Sequence, residues 1–204
     1  MAIDTRDRIL DAARDLFLEN GPEAVSMRRV AADAGLTAMA IYRHFKNRDA
    51  LLKAVVLKGH FLFLQYLQRS LAAPTPWDRL AQSGSQYLAF ALENPRDYAI
   101  LFMQAVGPED EGARGPEWWQ DAATFRFLVD RIREAGDCGL LLISDPEQTA
   151  LTVWAHVHGL VSLYLANKLN LDEATFRNVY AASVGRLISA FQAPVAIPKR
   201  LGKR

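Results

Sequence analysis

Apolar residues near the start of the chain recur with the period of a helix and stop at clear punctuation. Ile9, Ala12, Ala13, Leu16 and Phe17 fall at i, i+3, i+4, i+7 and i+8, one helical face, and Asn20-Gly21-Pro22 supplies a left-handed stop followed by a breaker. This predicts a first helix over 5–19. Ser26 then offers an N-cap oxygen to a short segment whose apolar face is Val30, Ala31 and Ala34 and which Gly35 closes. Thr37 caps a third segment with Ile41 and Phe45 four apart on its inner side, and Asn47 caps a long helix over 48–71. Helical spacing returns over 77–92, 96–106, 117–135 and 147–169, and Asp172 caps a last helix reaching about 191. Only 139–143 looks extended, and it is isolated. The pattern predicts an all-α fold of about nine helices, with 107–116 as a flexible loop.

The stretch 26–52, SMRRVAADAGLTAMAIYRHFKNRDALL, contains two short helices joined at Gly35 and then a capped long one. A helix-turn-helix needs this layout, because its first helix braces the phosphates while the start of the second enters the major groove. The competing reading is a helical hairpin inside a bundle. The outer face of the third segment opposes it. With Ile41 and Phe45 turned inward, Met39, Tyr42, Arg43 and Lys46 share the other side, and a solvated face rarely carries Met and Tyr together. A face meeting DNA does: apolar groups contact thymine methyls, a phenol reaches phosphate, and cations release counterions. Small Ala38 and Ala40 permit close approach to base edges. The expected organisation is a helix-turn-helix DNA-binding domain over 1–50, with helix four from 48 leading onward, a helical domain over 51–198, for which effector binding and dimerisation are argued below, and a basic tail over 199–204.

These residues resemble the TetR family of one-component transcriptional regulators. Val30-Ala31-Ala32-Asp33-Ala34-Gly35-Leu36 matches the family's Ile/Val-Ala-x-x-Ala-Gly-Val/Leu, and Tyr42-Arg43-His44-Phe45-Lys46-Asn47-Arg48-Asp49-Ala50-Leu51 matches Tyr-x-His/Tyr-Phe-x-x-Lys/Arg-x-x-Leu. The resemblance implies DNA contacts from Ser26 and Arg28 in helix two, from Thr37 to Arg43 in the recognition helix, from His44 at its end, and from Arg48 at the start of helix four. Ser26 and Arg48 sit at helix N-termini, where free N–H groups attract phosphate. Arg28 is the candidate for a bidentate guanine contact, and Arg29 is left with phosphate. His44 has a second reading, as a buried hydrogen-bonded residue of the domain core. Ala38 and Ala40 depart from the Gly, Ser or Thr common in relatives, so base reading is expected to lean on Arg28, Thr37, Arg43 and methyl contacts.

Charge supports this only after it is divided. The net +1 separates into +2 over residues 1–60, −5 over 61–198 and +4 over the tail from Lys199. Half the residues are apolar, no low-complexity tract appears, and no run approaches the roughly 18 uncharged apolar residues of a membrane span, so a soluble globular class is expected. The start, MAIDTRDRIL, lacks the basic-then-apolar order of a signal peptide, from which a cytoplasmic location is expected. Cys138 is the single cysteine, so an intrachain disulfide is impossible.

In the second half, Ala155, Gly159, Ser162 and Ala166 form one stripe of small residues, and Ala182, Gly185 and Ser189 another. Packing within one subunit is one reading; the family implies a homodimer through its last two helices, which also suits two recognition helices spanning successive grooves. Trp154-Ala-His156-Val-His158-Gly159 resembles a Trp-x-x-x-His-Gly signature of one C-terminal class in this family, as does 98–103. His156 and His158 at i, i+2 point to nearly opposite sides of a helix, so no metal site is expected. Candidate walls of an effector cavity are Phe63, Tyr66, Tyr87, Phe102, Met103, Trp118, Trp119, Phe125, Trp154 and His158, which favours an apolar or aromatic effector. Neither Gly-x-Ser-x-Gly nor a phosphate-binding glycine loop is present, so an enzyme is not expected, nor is a cofactor. The expectation is a repressor that binds a near-palindromic operator as a dimer, released by a small molecule. Its rival is a ligand-independent structural or division-control protein using the same DNA-reading domain.

Overall fold

The structure, a computed structural model, describes residues 4–103 and 123–192. Among them are nine α-helices and no strand: α1 (Thr5–Asn20), α2 (Met27–Asp33), α3 (Ala38–Tyr42), α4 (Arg48–Gln68), α5 (Pro76–Glu93), α6 (Pro95–Tyr98), α7 (Ala123–Asp137), α8 (Pro146–Leu165) and α9 (Glu173–Ser189). The caps fall where the sequence placed them. Ser26 accepts from the Arg29 N–H at 3.3 Å, Thr37 from Ala40 at 3.2 Å, Asn47 from Ala50 at 2.9 Å and Asp172 from Thr175 at 2.7 Å, each satisfying a donor that the first helical turn leaves free. Gly21 and Gly35 both adopt positive φ, at 79° and 65°.

Two predicted elements differ. The helix expected over 96–106 is α-helical only to Tyr98 and continues as a π turn over 99–103, leaving 104–106 outside the described residues. The extended stretch at 139–143 makes one isolated antiparallel bridge, Leu141 to Gln192, with the Leu142 N–H donating to the Phe191 carbonyl at 2.7 Å.

The chain divides into two compact units, Met1–Arg69 with Gln86–Thr124, and Ser70–Ser85 with Phe125–Arg204. In the first, Ile9, Leu10, Ala13, Leu16 and Phe17 of α1, Val30 and Ala31 of α2, Ile41 of α3 and Phe45 form one core with Leu51, Leu52 and Val55 of α4 and with Ile100. The first turns of α4 are thus part of the same core as α1, α2 and α3. Residues 48–72 are also the one described helix long and apolar enough to cross a membrane by length and composition; Leu51, Leu52, Val55, Phe63, Tyr66 and Leu67 of that stretch are core residues. In the second unit α8 packs on α9, with Tyr164 stacked on Phe176 at 4.0 Å and the Tyr180 hydroxyl donating to the Gly84 carbonyl at 2.9 Å.

Candidate nucleic-acid interface

Helix α3 is only five residues long, but the Phe45 N–H still donates to the Ile41 carbonyl at 3.0 Å, so the helical path runs on past Arg43 and His44. Ile41 and Phe45 are buried. Outward, Met39 is 72% and Tyr42 55% exposed, unusual values for large apolar side chains, and Ala38, Arg43, His44 and Lys46 are exposed with them. Ala40 is half-buried. The buried reading of His44 is thereby corrected, because its ring stands in solvent. On α2, Arg28 and Arg29 are exposed while Met27, Val30 and Ala31 are buried, so both arginines share the outer side with the Ser26 and Thr37 caps.

The head's charges are sorted. Arg28, Arg29, Arg43 and Lys46 form no ion pair among the described residues, whereas Arg14 of α1 and Lys58 of α4 are paired. Lys58 donates to Asp7 at 3.0 Å and Asp11 at 3.2 Å; Arg14 lies 3.6 Å from Asp97, and Arg96 donates to Asp15 at 3.1 Å. Burial pulls the Lys58 pKa down, but the hydrogen bonds to the two carboxylates outweigh it and hold the ammonium above its ordinary value. Asp97 goes the other way: burial raises its carboxyl above the usual range against the pull of Arg14 and Lys58. A net of +2 thus includes a front of cations without carboxylate partners among the described residues.

Arg48 differs from the sequence expectation. Its Nε donates to the Val25 carbonyl at 2.8 Å and an Nη to the Pro22 carbonyl at 2.6 Å, with Glu23 3.8 Å and Asp49 4.0 Å away. The guanidinium is turned into the chain segment before α2, whose two carbonyls supply acceptors that the N–H groups of a helix start cannot. Sequence reasoning also passed over Arg8, which donates to the Ala34 carbonyl at the end of α2, and Arg6, whose guanidinium lies 5.2 Å from the Phe45 ring centre. Their partners lie 26 and 39 positions away, beyond the reach of any local pattern.

The candidate effector residues fall into two sets, one in each unit. In the first unit Phe63 packs on Tyr87 at 5.5 Å, on Phe102 at 5.7 Å and on Phe90 at 4.8 Å; the Tyr87 and Tyr98 hydroxyls are 3.1 Å apart, and Tyr66 donates to Glu93 at 2.6 Å. Phe90 and Tyr98, absent from the sequence candidates, are its most buried members, and Met103 is exposed. In the second unit Phe125 packs on Trp154 at 6.1 Å, and Trp154 lies 6.0 Å from His158, whose Nε2 is 3.4 Å from the Ser162 hydroxyl. Burial lowers the His158 pKa. His156 meets Ser183 of α9 at 3.0 Å, so the two histidines have different neighbours, as their spacing requires. Trp118 and Trp119 lie outside the described residues.

The small-residue stripes of α8 and α9 stand at the surface. Ala155, Ala166, Ala182, Gly185 and Ser189 are exposed, Gly159 and Ser162 half-buried, and a Cβ added at Gly159 or Gly185 would meet nothing within 4 Å among the described residues.

Comparison with known proteins agrees with this geometry. Residues 9–55 match the model for bacterial regulatory proteins of the tetR family, and residues 80–190 match that for the tetracyclin repressor-like C-terminal domain. The HTH-type transcriptional regulator UidR of Escherichia coli K12 is 39% identical, over 91% of this chain and 94% of its own length. Among solved structures, a SmeT–triclosan complex is 25% identical with a TM-score of 0.71, covering 98% of both chains. SmeT, described as the repressor of the Stenotrophomonas maltophilia multidrug efflux pump SmeDEF, also matches at 27% identity and TM-score 0.68 over 98% of this chain and 96% of its own. The all-helical fold, the exposed cationic face behind a capped Gly35 turn, and these matches together place the chain in the TetR family of DNA-binding transcriptional regulators.

Proposed function

We propose that the protein is a repressor that binds a near-palindromic operator as a homodimer and leaves it when an apolar or aromatic small molecule binds. The observation that carries the reading is the outer face of α2 and α3. Met39 and Tyr42 are exposed on a helix whose inner side is fully packed, and Arg28, Arg29, Arg43 and Lys46 around them lack carboxylate partners among the described residues. That combination suits thymine methyls, guanine edges and phosphates.

The dimer rests on α8 and α9. A glycine inside a helix costs roughly 1 kcal/mol relative to alanine, yet nothing among the described residues requires Gly159 or Gly185 to be small. Close approach of a second copy accounts for both. Effector control rests on the segment 95–103. Arg14–Asp97 and Asp15–Arg96 tie it to α1, and Leu101 packs so closely on α4 that a Cβ at Gly59 would stand 3.2 Å from it. A ligand that shifts this segment bears on the head through those contacts, and DNA release follows if it prefers the shifted state. SmeT, captured with triclosan, supports an aromatic effector.

The packing of Phe63, Tyr87, Phe90 and Phe102 on one another favours a second reading, a DNA-binding regulator without an effector. Protection footprinting of the region upstream of the gene, with and without an aromatic compound library, separates the two. Protection that a compound abolishes supports the first reading; protection indifferent to every compound, with no thermal shift, supports the second. An unprotected upstream region counts against both.

A further inference from the structure

Helix α2 has seven residues, too few to hold its place by its own hydrogen bonds, and both its ends are tied by guanidinium groups from other helices. At the N-terminal end Arg48, the first residue of α4, donates to the carbonyls of Val25 and Pro22, and Val25 immediately precedes the Ser26 cap. At the other end Arg8 of α1 donates to the Ala34 carbonyl, with Gly35 leaving the space: a Cβ there would stand 3.2 Å from the Arg8 Nη2. A guanidinium reaches two carbonyls at once because its donors are fixed in a planar fork; an ammonium cannot reproduce that geometry.

We infer that Arg48 and Arg8 are positioning residues for α2, setting where Arg28 meets the bases, and that Arg48 does not contribute its charge to phosphate. Arg28 lies on the first turn of α2, one turn from the Val25 tie, so its reach depends on that tie. A rotation of α4 about its N-terminus passes to Arg28 through Arg48. The inference rests on Arg28 reading bases.

The test uses the full-length protein with two DNAs: a duplex recovered by selection from random-sequence DNA with the unaltered protein, and a random-sequence duplex of equal length. Arg48→Lys keeps the charge and loses the fork; Arg48→Met loses both. Both variants are expected to lower the ratio of selected to random affinity by about fivefold or more, while affinity for the random duplex and the slope of log K against log salt stay as they were. The inference is overturned if Arg48→Lys binds like the unaltered protein while Arg48→Met loses affinity for both duplexes and its salt slope falls by about one per subunit. It is equally overturned if the variants melt earlier yet, when folded, keep the same ratio. Amide exchange of Arg48→Lys without DNA tests the tie by itself: exchange at 27–30 should quicken relative to α1, and unchanged exchange refutes the tie. Failure of the unaltered protein to select any duplex counts against the DNA-reading account and leaves the exchange result to decide the tie.

Discussion

Among the surfaces on which the described residues leave apolar groups uncovered, two, one in each unit, differ in the size and charge of what is shown. The α2–α3 face presents Met39 and Tyr42 among cations that lack carboxylate partners in the described structure. The α8–α9 face presents Ala155, Gly159, Ala166, Ala182 and Gly185, with Leu163 46% and Val179 40% exposed beside them. Large side chains reaching out among positive charges suit a grooved polyanion, which they penetrate. Small side chains, with Arg186 as a nearby cation on α9, suit a second helix pair, which needs backbones to approach. Exposed apolar area alone does not distinguish the two partners; side-chain length and neighbouring charge do.

The largest effect should follow from filling the second face. Gly185→Trp has open space around its Cβ among the described residues, so it should fold normally, sediment as a monomer, and lose operator affinity by roughly 100-fold or more as the linked second head is lost. A persistent dimer would remove α9 from the proposed interface. On the first face, Arg28→Ala should cost ~1–3 kcal/mol of discrimination at one base position, read by competition against duplexes altered at single positions. Met39→Ala should weaken DNA binding by about 1 kcal/mol. Because Met39 is exposed, the same change should leave the melting temperature nearly unmoved. A large drop in melting temperature would instead make Met39 a core residue and dissolve the contrast between the faces.

Two smaller effects concern buried titratable groups. Burial is the leading influence on Asp97, so its pairing with Arg14 is offset by desolvation, and Asp97→Asn should change unfolding free energy by less than ~1 kcal/mol while altering how the 95–103 segment is held. Burial also keeps the folded His60 and His158 below the ordinary histidine pKa. The unfolded chain then takes up protons first as pH falls through about 6.5, so stability falls below that pH. His158→Asn should flatten thermal stability against pH between about 7 and 5; an unaltered profile would mean that His158 is not the titrating group.

What the sequence revealed was local. Caps at Ser26, Thr37, Asn47 and Asp172, the left-handed stop at Gly35 and the inward pair Ile41 and Phe45 are all set by residues within a turn or two, and each stands as read. The ties of Arg8, Arg14, Arg48 and Lys58 were illegible because charged side chains carry no period that names a distant partner. Arg48 is the instructive case: a cation at a helix start reads as a phosphate ligand, and nothing local signals its hydrogen bonds to the carbonyls of Pro22 and Val25. The aromatic candidates show the same limit. Composition identified Phe63, Tyr87 and Phe102 as large and apolar, but Phe90 and Tyr98, the most enclosed of the set, emerged only from the fold.

The central claim, that paired heads read DNA through α2 and α3, is tested most directly by sequencing the duplexes that the full-length protein enriches from random DNA, in parallel with Arg28→Ala. The account predicts an inverted repeat whose half-sites lie about one helical turn, or a multiple of it, apart, with a guanine in each half that the Arg28→Ala protein no longer selects. Enrichment of a single unpaired half-site, or of the same sequence by both proteins, would contradict it.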